Sequence, residues 1–166
     1  AIHYAYFSAI CKAKERVYIE TPYFIPDDSL LRALKSAALS GVDVRIIFPS
    51  IADHKIVHQA SYSYFDDILR SGGKVYLYKK GFIHSKVVII DDKISSTGSA
   101  NMDLRSFMLN FEINAFMYDK EIINKITDDF YEDLANSEEI YLEDFEKRPF
   151  IKKWTESVAR LFSPIL

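Results

Sequence analysis

A helix, a glycine and a β-strand succeed one another twice in the first half of this 166-residue chain, and that order restricts the folds open to it. Leu30, Leu31, Leu34, Ala37 and Ala38 recur at spacings of three and four behind Pro26-Asp27-Asp28-Ser29, whose Asp and Ser side chains can accept the free N–H groups of a first helical turn. Gly41 supplies a left-handed stop, and Val42 to Phe48 then reads as a strand. The unit repeats as a helix over 55–70, Gly72-Gly73 and a strand over 74–78. A helix over 3–14 and a strand over 16–20 precede both. Strands joined by helices in this way lie parallel. The second half reads differently: strands over 82–91, 94–98 and 111–118 follow one another through short links, which predicts an antiparallel addition to the same sheet. A helix over 119–135 carries Ile122, Ile123, Ile126, Phe130 and Leu134 on one face. The expected fold class is α/β, a mixed β-sheet flanked by helices on both faces.

Composition excludes several alternatives. With 49% hydrophobic and 27% charged residues the chain can bury a core and is not a disordered or low-complexity protein. Runs of large apolar residues stop at four, as in Val87 to Ile90, so no segment is expected to span a bilayer. The start of the chain lacks the basic-then-apolar pattern of a signal peptide, and the single Cys11 cannot form an internal bridge, so a reducing compartment is the expectation. The net charge of −3 is unevenly spread. Residues 1–118 carry 14 basic and 12 acidic side chains, 119–146 carry 2 and 11, and 147–166 carry 5 and 1. An acidic balance argues mildly against a surface made to grip bare polyphosphate.

The chemistry concentrates at H-S-K-V-V-I-I-D, residues 84–91. Side chains two apart on a strand share a face, so His84 and Lys86 emerge together, while Asp91 has the opposite parity and sits at the strand end. An ammonium beside an imidazole draws an anion to where the ring can reach it, which suits attack on a phosphate. Gly98-Ser99-Ala100-Asn101 follows a strand, and a turn of small residues can offer N–H, hydroxyl and carboxamide donors to phosphate oxygens. Glu112 and Asn114 alternate with Phe111, Ile113 and Ala115, which places a carboxylate on the polar face of another strand. A carboxylate bonded to one ring nitrogen fixes a histidine's tautomer. Each piece alone has an ordinary explanation as exposed edge or plain turn; their joint occurrence is the signal.

In that combination the chain resembles the phospholipase D superfamily. The family's HKD motif matches His84, Lys86 and Asp91, its following G-[ST]-x-N matches Gly98, Ser99 and Asn101, and its downstream acid matches Glu112. Within the superfamily the chain is similar to the C-terminal half of bacterial cardiolipin synthases, through T-P-Y-F-I-P-D (21–27), G-V-D-V-R-I-I (41–47), A-N-M-D-L-R-S-F (100–107) and L-N-F-E-I-N-A-F (109–116) among others. The resemblance implies a phospholipase D-like fold and phosphatidyl transfer between two phosphatidylglycerol molecules, releasing glycerol through a phosphohistidine. It implies His84, Lys86, Asp91 and Glu112 as catalytic and Ser99 and Asn101 as phosphate-binding, with Asp91 structural by its parity and no metal or other cofactor. That family builds one site from two such motifs, and this chain has one: His3, His54 and His58 lack the right neighbours.

The resemblance therefore implies a C-terminal fragment whose partner is the first HKD domain of the same polypeptide, behind membrane-spanning segments. A homodimer that completes its own site, as a phosphodiesterase or nuclease, is the main alternative; a non-catalytic lipid-binding half-domain is another. The expected ligand is phosphatidylglycerol or another anionic phospholipid, with no nucleic acid. The expected location is the cytoplasmic side of the cell membrane for the whole enzyme, with the fragment itself soluble or peripheral. Which histidine is the nucleophile stays open.

Two features fall outside the motif. His54 and His58, four apart, could seat zinc with Asp53, but a third convergent ligand is missing. Ile151, Trp154, Val158, Leu161 and Ile165 recur at helical spacing among Lys152, Lys153, Glu156 and Arg160. This stripe reads equally as a core-closing helix or as a basic amphipathic helix in an anionic lipid interface. The expected division is a catalytic domain over 1–148 and a basic segment over 149–166.

Overall fold

In a computed structural model, residues 1–161 are described. The first half follows the predicted order with one short strand, β2, added to it: α1 (Ile2–Cys11), β1 (Arg16–Glu20), β2 (Phe24–Ile25), α2 (Asp28–Leu39), β3 (Asp43–Pro49), α3 (Lys55–Arg70) and β4 (Lys74–Tyr78). Asp27 caps α2 by accepting from the Leu30 N–H at 3.1 Å, and Gly41 closes it with φ of +90°. The second half holds β5 (Val87–Ile90), β6 (Ile94–Gly98), β7 (Met102–Asp103), α4 (Leu104–Met108), β8 (Asn114–Met117), α5 (Lys120–Ala135), β9 (Ser137–Ile140), α6 (Leu142–Glu146) and α7 (Phe150–Leu161).

Seven strands form one sheet in the order β8-β6-β5-β1-β3-β4-β9. Its centre, β1-β3-β4, is parallel, and β5, β6, β8 and β9 are added antiparallel on the two sides. The mixed sheet expected from the two halves of the sequence is present; β9 was not foreseen. A further two-stranded sheet, β2 with β7, is also unforeseen, and it brings the Thr21-Pro22-Tyr23 segment beside Asn101.

One face of the sheet buries Val17, Ile19, Val44, Ile46, Phe48 and Val88 against α1, α2 and α3, with Phe24, Leu30, Leu34 and Phe65 fully enclosed. The other face sets Tyr18, Ile47 and Ile89 against Ile123 and Phe130 of α5, with the Tyr18 and Phe130 rings stacked 4.8 Å apart. Helices thus cover both faces, as the alternation of periods requires.

Two strands are shorter than their sequence pattern. The 82–91 stretch pairs only from Val87, because its partner β1 ends at Glu20 and the chain turns away through Thr21-Pro22. The 111–118 stretch pairs only from Asn114, opposite Gly98, the last residue of β6. His84, Lys86 and Glu112 therefore lie on extended segments just beyond the ladder, not within strands. Phe111 and Ile113, expected to face inward, are exposed.

Candidate active site

The segments leaving β1, β5, β6 and β8 meet at one edge of the sheet, and most of the motif residues gather there. His84 is exposed, its ring 5.6 Å from that of Phe82, and among the described residues nothing hydrogen-bonds to its nitrogens. The Lys86 ammonium donates to the His84 carbonyl at 2.6 Å, which ties the two motif residues by their own backbone. Lys86 also lines a small cleft with Thr21, Ala100 and Met102, so it stands over the loop that follows β6. Burial lowers the Lys86 pKa, while the carboxylates of Glu112 and Asp103 act in the opposite direction. Lys86, Glu112 and Asp103 therefore share one electrostatic neighbourhood.

The loop itself is tightly built. A Cβ at Gly98 would run into the Ile113 carbonyl and lie 2.6 Å from the Asn114 Cα, so the close approach of β6 to β8 requires glycine. Asn114 accepts from the Ala100 N–H through Oδ1 at 3.2 Å and donates to the Tyr6 hydroxyl at 2.7 Å. The Ser99 hydroxyl is hydrogen-bonded to Glu112, whose other oxygen accepts from the Asn110 carboxamide at 3.2 Å. Glu112 thus engages Ser99 and Asn110, where a bond to the His84 ring was expected. Asn101 donates weakly to the Ser106 hydroxyl at 3.4 Å, and its buried Oδ1 has no hydrogen-bond partner among the described residues.

Asp91 lies apart from all of these. It sits at the far end of β5, seven residues from His84, which at the rise of a strand is about 20 Å. Its carboxylate accepts from the backbone N–H groups of Lys14, Glu15 and Arg16 at 3.2, 2.9 and 3.1 Å. Burial alone would raise its pKa, but these donors outweigh it and hold the carboxyl below its ordinary range. The motif's aspartate therefore pins the α1–β1 turn.

Ser85, Glu20 and Asn114 were not singled out by their sequence context. Ser85 has the opposite parity to His84 and Lys86, and its hydroxyl donates to Glu20, the last residue of β1 and only 4% exposed. Burial pushes Glu20 up to about 7, and nearby Asp133 and Asp129 of α5 add to the rise. A carboxyl raised in the folded state contributes stability fully present below about pH 4.5 and lost as pH climbs through about 7. Glu20→Gln is therefore expected to remove most of this fall. In thermal melts from pH 4.5 to 8, the variant's advantage should grow with pH to on the order of 2–3 kcal/mol.

The histidine pair on α3 does not converge. His54 is the exposed N-cap, Asp53 accepts from the Tyr23 hydroxyl at 2.9 Å, and His58 packs between Phe48 and Tyr62 with ring centroids at 5.1 and 4.8 Å. Phe24 is wholly core, whereas Tyr23 is half-buried.

Comparison with known proteins places this arrangement. A family model described as "Cardiolipin synthase, PLD-like domain" matches residues 6–134. Cardiolipin synthase 2 of Bacillus anthracis is 52% identical over 165 residues, which is 99% of this chain and 32% of that protein. The chain thus spans about a third of the length of the curated relatives it matches. Among solved structures, Nuc from Salmonella typhimurium, a phospholipase D family member, aligns with a TM-score of 0.71 at 23% identity, covering 83% of this chain and 90% of that one. Phosphatidylserine synthase of Haemophilus influenzae aligns at 0.75 and 17% identity, covering 96% of this chain and 43% of that one. At these identities the two structures speak to the fold alone.

Proposed function

The chain belongs to the cardiolipin synthase, phospholipase D-like domain family, and from that premise we propose that it is the second catalytic half of a phosphatidyltransferase that joins two phosphatidylglycerol molecules. One motif histidine of the paired site attacks the phosphorus of phosphatidylglycerol. An N–P bond forms as the P–O bond to the headgroup glycerol breaks, and the other histidine, protonated, gives its proton to the departing oxygen. That second ring, now neutral, takes a proton from a hydroxyl of a second phosphatidylglycerol, whose oxygen displaces the histidine from phosphorus. Cardiolipin and glycerol are the products.

His84 is one of the two rings. Lys86 meets the charge that spreads over the phosphoryl oxygens, and Ser99 and Asn101 border the same position. Glu112 is a positioning residue here, acting through Ser99 and through its field on Lys86. Asp91 serves the fold.

The observation that carries this reading is the exposed imidazole of His84, whose nitrogens bond to no described residue, beside a lysine that lies in the field of two carboxylates. Pairing has its own support. Met108, Leu109, Phe111 and Ile113 flank Glu112 and are all largely exposed, as on a face that another domain covers. The alternative is a chain that completes the site by pairing with its own copy.

Solution mass and phosphodiester turnover, followed together over a range of protein concentrations, separate the two. A monomer inactive at every concentration fits a half-site that needs its first domain. Turnover on phosphatidylglycerol that rises with the dimer fraction assigns a self-completed site. Turnover confined to DNA would overturn the lipid assignment.

A further inference from the structure

The helix α7 carries its apolar residues on the wrong side for a core. Its packed face is Glu156 and Ala159, laid against α3. Glu156 is held there by Arg148 at 2.6 Å, and Arg160 reaches Asp67 at 3.0 Å with its guanidinium 4.1 Å from the Tyr64 ring centroid. At 100° per residue, Phe150, Ile151, Trp154, Val158 and Leu161 fall within one third of the helix circumference, opposite that face. Phe150, Ile151, Trp154 and Leu161 are 78, 74, 59 and 78% exposed. Ile165 lies outside the described residues. Of the two sequence readings of this stripe, the core-closing one does not hold for residues 150–161.

Most charges near the stripe are paired with one another. Glu156, the helix's one acid, is turned inward and neutralised. On the neighbouring α6, Asp144 is matched by Lys147 at 3.2 Å and Glu146 by Arg70 at 2.6 Å. At the same 100° per residue Lys153 lies about 60° from Phe150, at the border of the stripe, and its ammonium donates to a neutral carbonyl, that of Glu146, at 2.5 Å, while the exposed Lys152 falls on the Ala159 side of the helix and its ammonium has no hydrogen-bond or ion-pair partner among the described residues. The outward side of α7 therefore shows aromatic and aliphatic groups bordered by the Lys153 ammonium. That combination fits the headgroup–acyl boundary of an anionic bilayer, where apolar burial and attraction to lipid phosphates act together.

We propose that α7 is an interfacial anchor whose outward stripe enters the surface of an anionic membrane, with Lys153 at the level of the lipid phosphates. Among the described residues no helix is long and apolar enough to cross a membrane, so this contact lies along the surface. The proposal goes beyond the catalytic reading and does not depend on it, since neither His84 nor Lys86 takes part.

Trp154 is the only tryptophan in the chain and sits in the middle of the stripe, so it reports directly. The test titrates the chain with vesicles of phosphatidylglycerol and phosphatidylcholine, or of phosphatidylcholine alone, reading tryptophan emission and co-sedimentation. The expected result is a blue shift and sedimentation with the anionic vesicles, weakened at least about tenfold by removing the anionic lipid or by high salt. Ile151→Ser with Leu161→Ser, both at exposed positions, should lower partitioning by roughly tenfold or more while melting stays unchanged. No shift from the folded chain would overturn the proposal, as would equal partitioning of the double serine variant. A blue shift that follows protein concentration without vesicles would also overturn it, assigning the stripe to a second copy. Each outcome leaves diester turnover, and the catalytic reading with it, to be judged separately.

Discussion

Replacing His84 with alanine is expected to lower phosphatidyl transfer by the paired site roughly 10³–10⁴-fold while leaving the melting temperature within about a degree of the parent. The size follows from the chemistry assigned to the ring, which either bonds to phosphorus or moves the proton that lets glycerol leave. The indifference of stability follows from its surroundings, because His84 is exposed and no described side chain bonds to its nitrogens. Residual turnover should respond to added imidazole, since the vacated space opens to solvent. Lys86→Met should cost less, about 10²–10³-fold, because it removes charge stabilisation from a site whose histidines remain. Steady-state turnover on phosphatidylglycerol, with melts as the control, checks both. A His84→Ala enzyme that keeps full turnover would remove the imidazole from the mechanism.

The opposite pattern is expected at Asp91. Asp91→Ala leaves the N–H groups of Lys14, Glu15 and Arg16 without their acceptor and puts alanine at a φ of +51°, which aspartate tolerates better. Together these should destabilise the chain by about 3–5 kcal/mol, a fall in melting temperature on the order of 10 °C for a domain of this size. Turnover per folded molecule, measured well below the transition, should change little, because the carboxylate sits about 20 Å from His84. The pH signature has a definite sign. A carboxyl whose pKa is depressed on folding contributes stability above its unfolded value near 4, and loses it as pH falls through the folded value. Asp91→Asn keeps an acceptor and the backbone preference but cannot titrate. Its deficit relative to the parent should therefore be largest near neutral pH and shrink in acid. Calorimetry from pH 2 to 7 reads this directly, and a deficit independent of pH would contradict it.

These two residues also mark what the sequence made legible. The alternation of periods carried the sheet and its two helical layers, since a glycine-stopped helix before a strand leaves few arrangements. Parity separated Asp91 from His84 and Lys86, and the same parity rule applied to Ser85 would have pointed it toward Glu20. The ends of the ladder were not legible, because strand pairing is set by the partner: β1 stops at Glu20 and β6 at Gly98, however β-like the residues opposite them. Asn114 looked like one more polar strand residue, and only the fold shows its carboxamide under Ala100. Glu112 was expected at the His84 ring and instead holds Ser99, a choice made by the approach of two chain segments that no spacing encodes. For α7, periodicity found the apolar stripe but not its direction. The ion pairs of Arg148 with Glu156 and Arg160 with Asp67 turn the helix so that the stripe faces out.

The central claim is that His84 completes a two-histidine site for joining phosphatidylglycerol molecules. It is tested most directly by placing this chain in the corresponding third of Bacillus anthracis cardiolipin synthase 2, to which it is 52% identical, and measuring conversion of phosphatidylglycerol into cardiolipin and glycerol. The chimera with His84 should make both products in equal amounts, and the same chimera with His84→Ala should make neither above background. Equal product formation by the two chimeras would contradict the account.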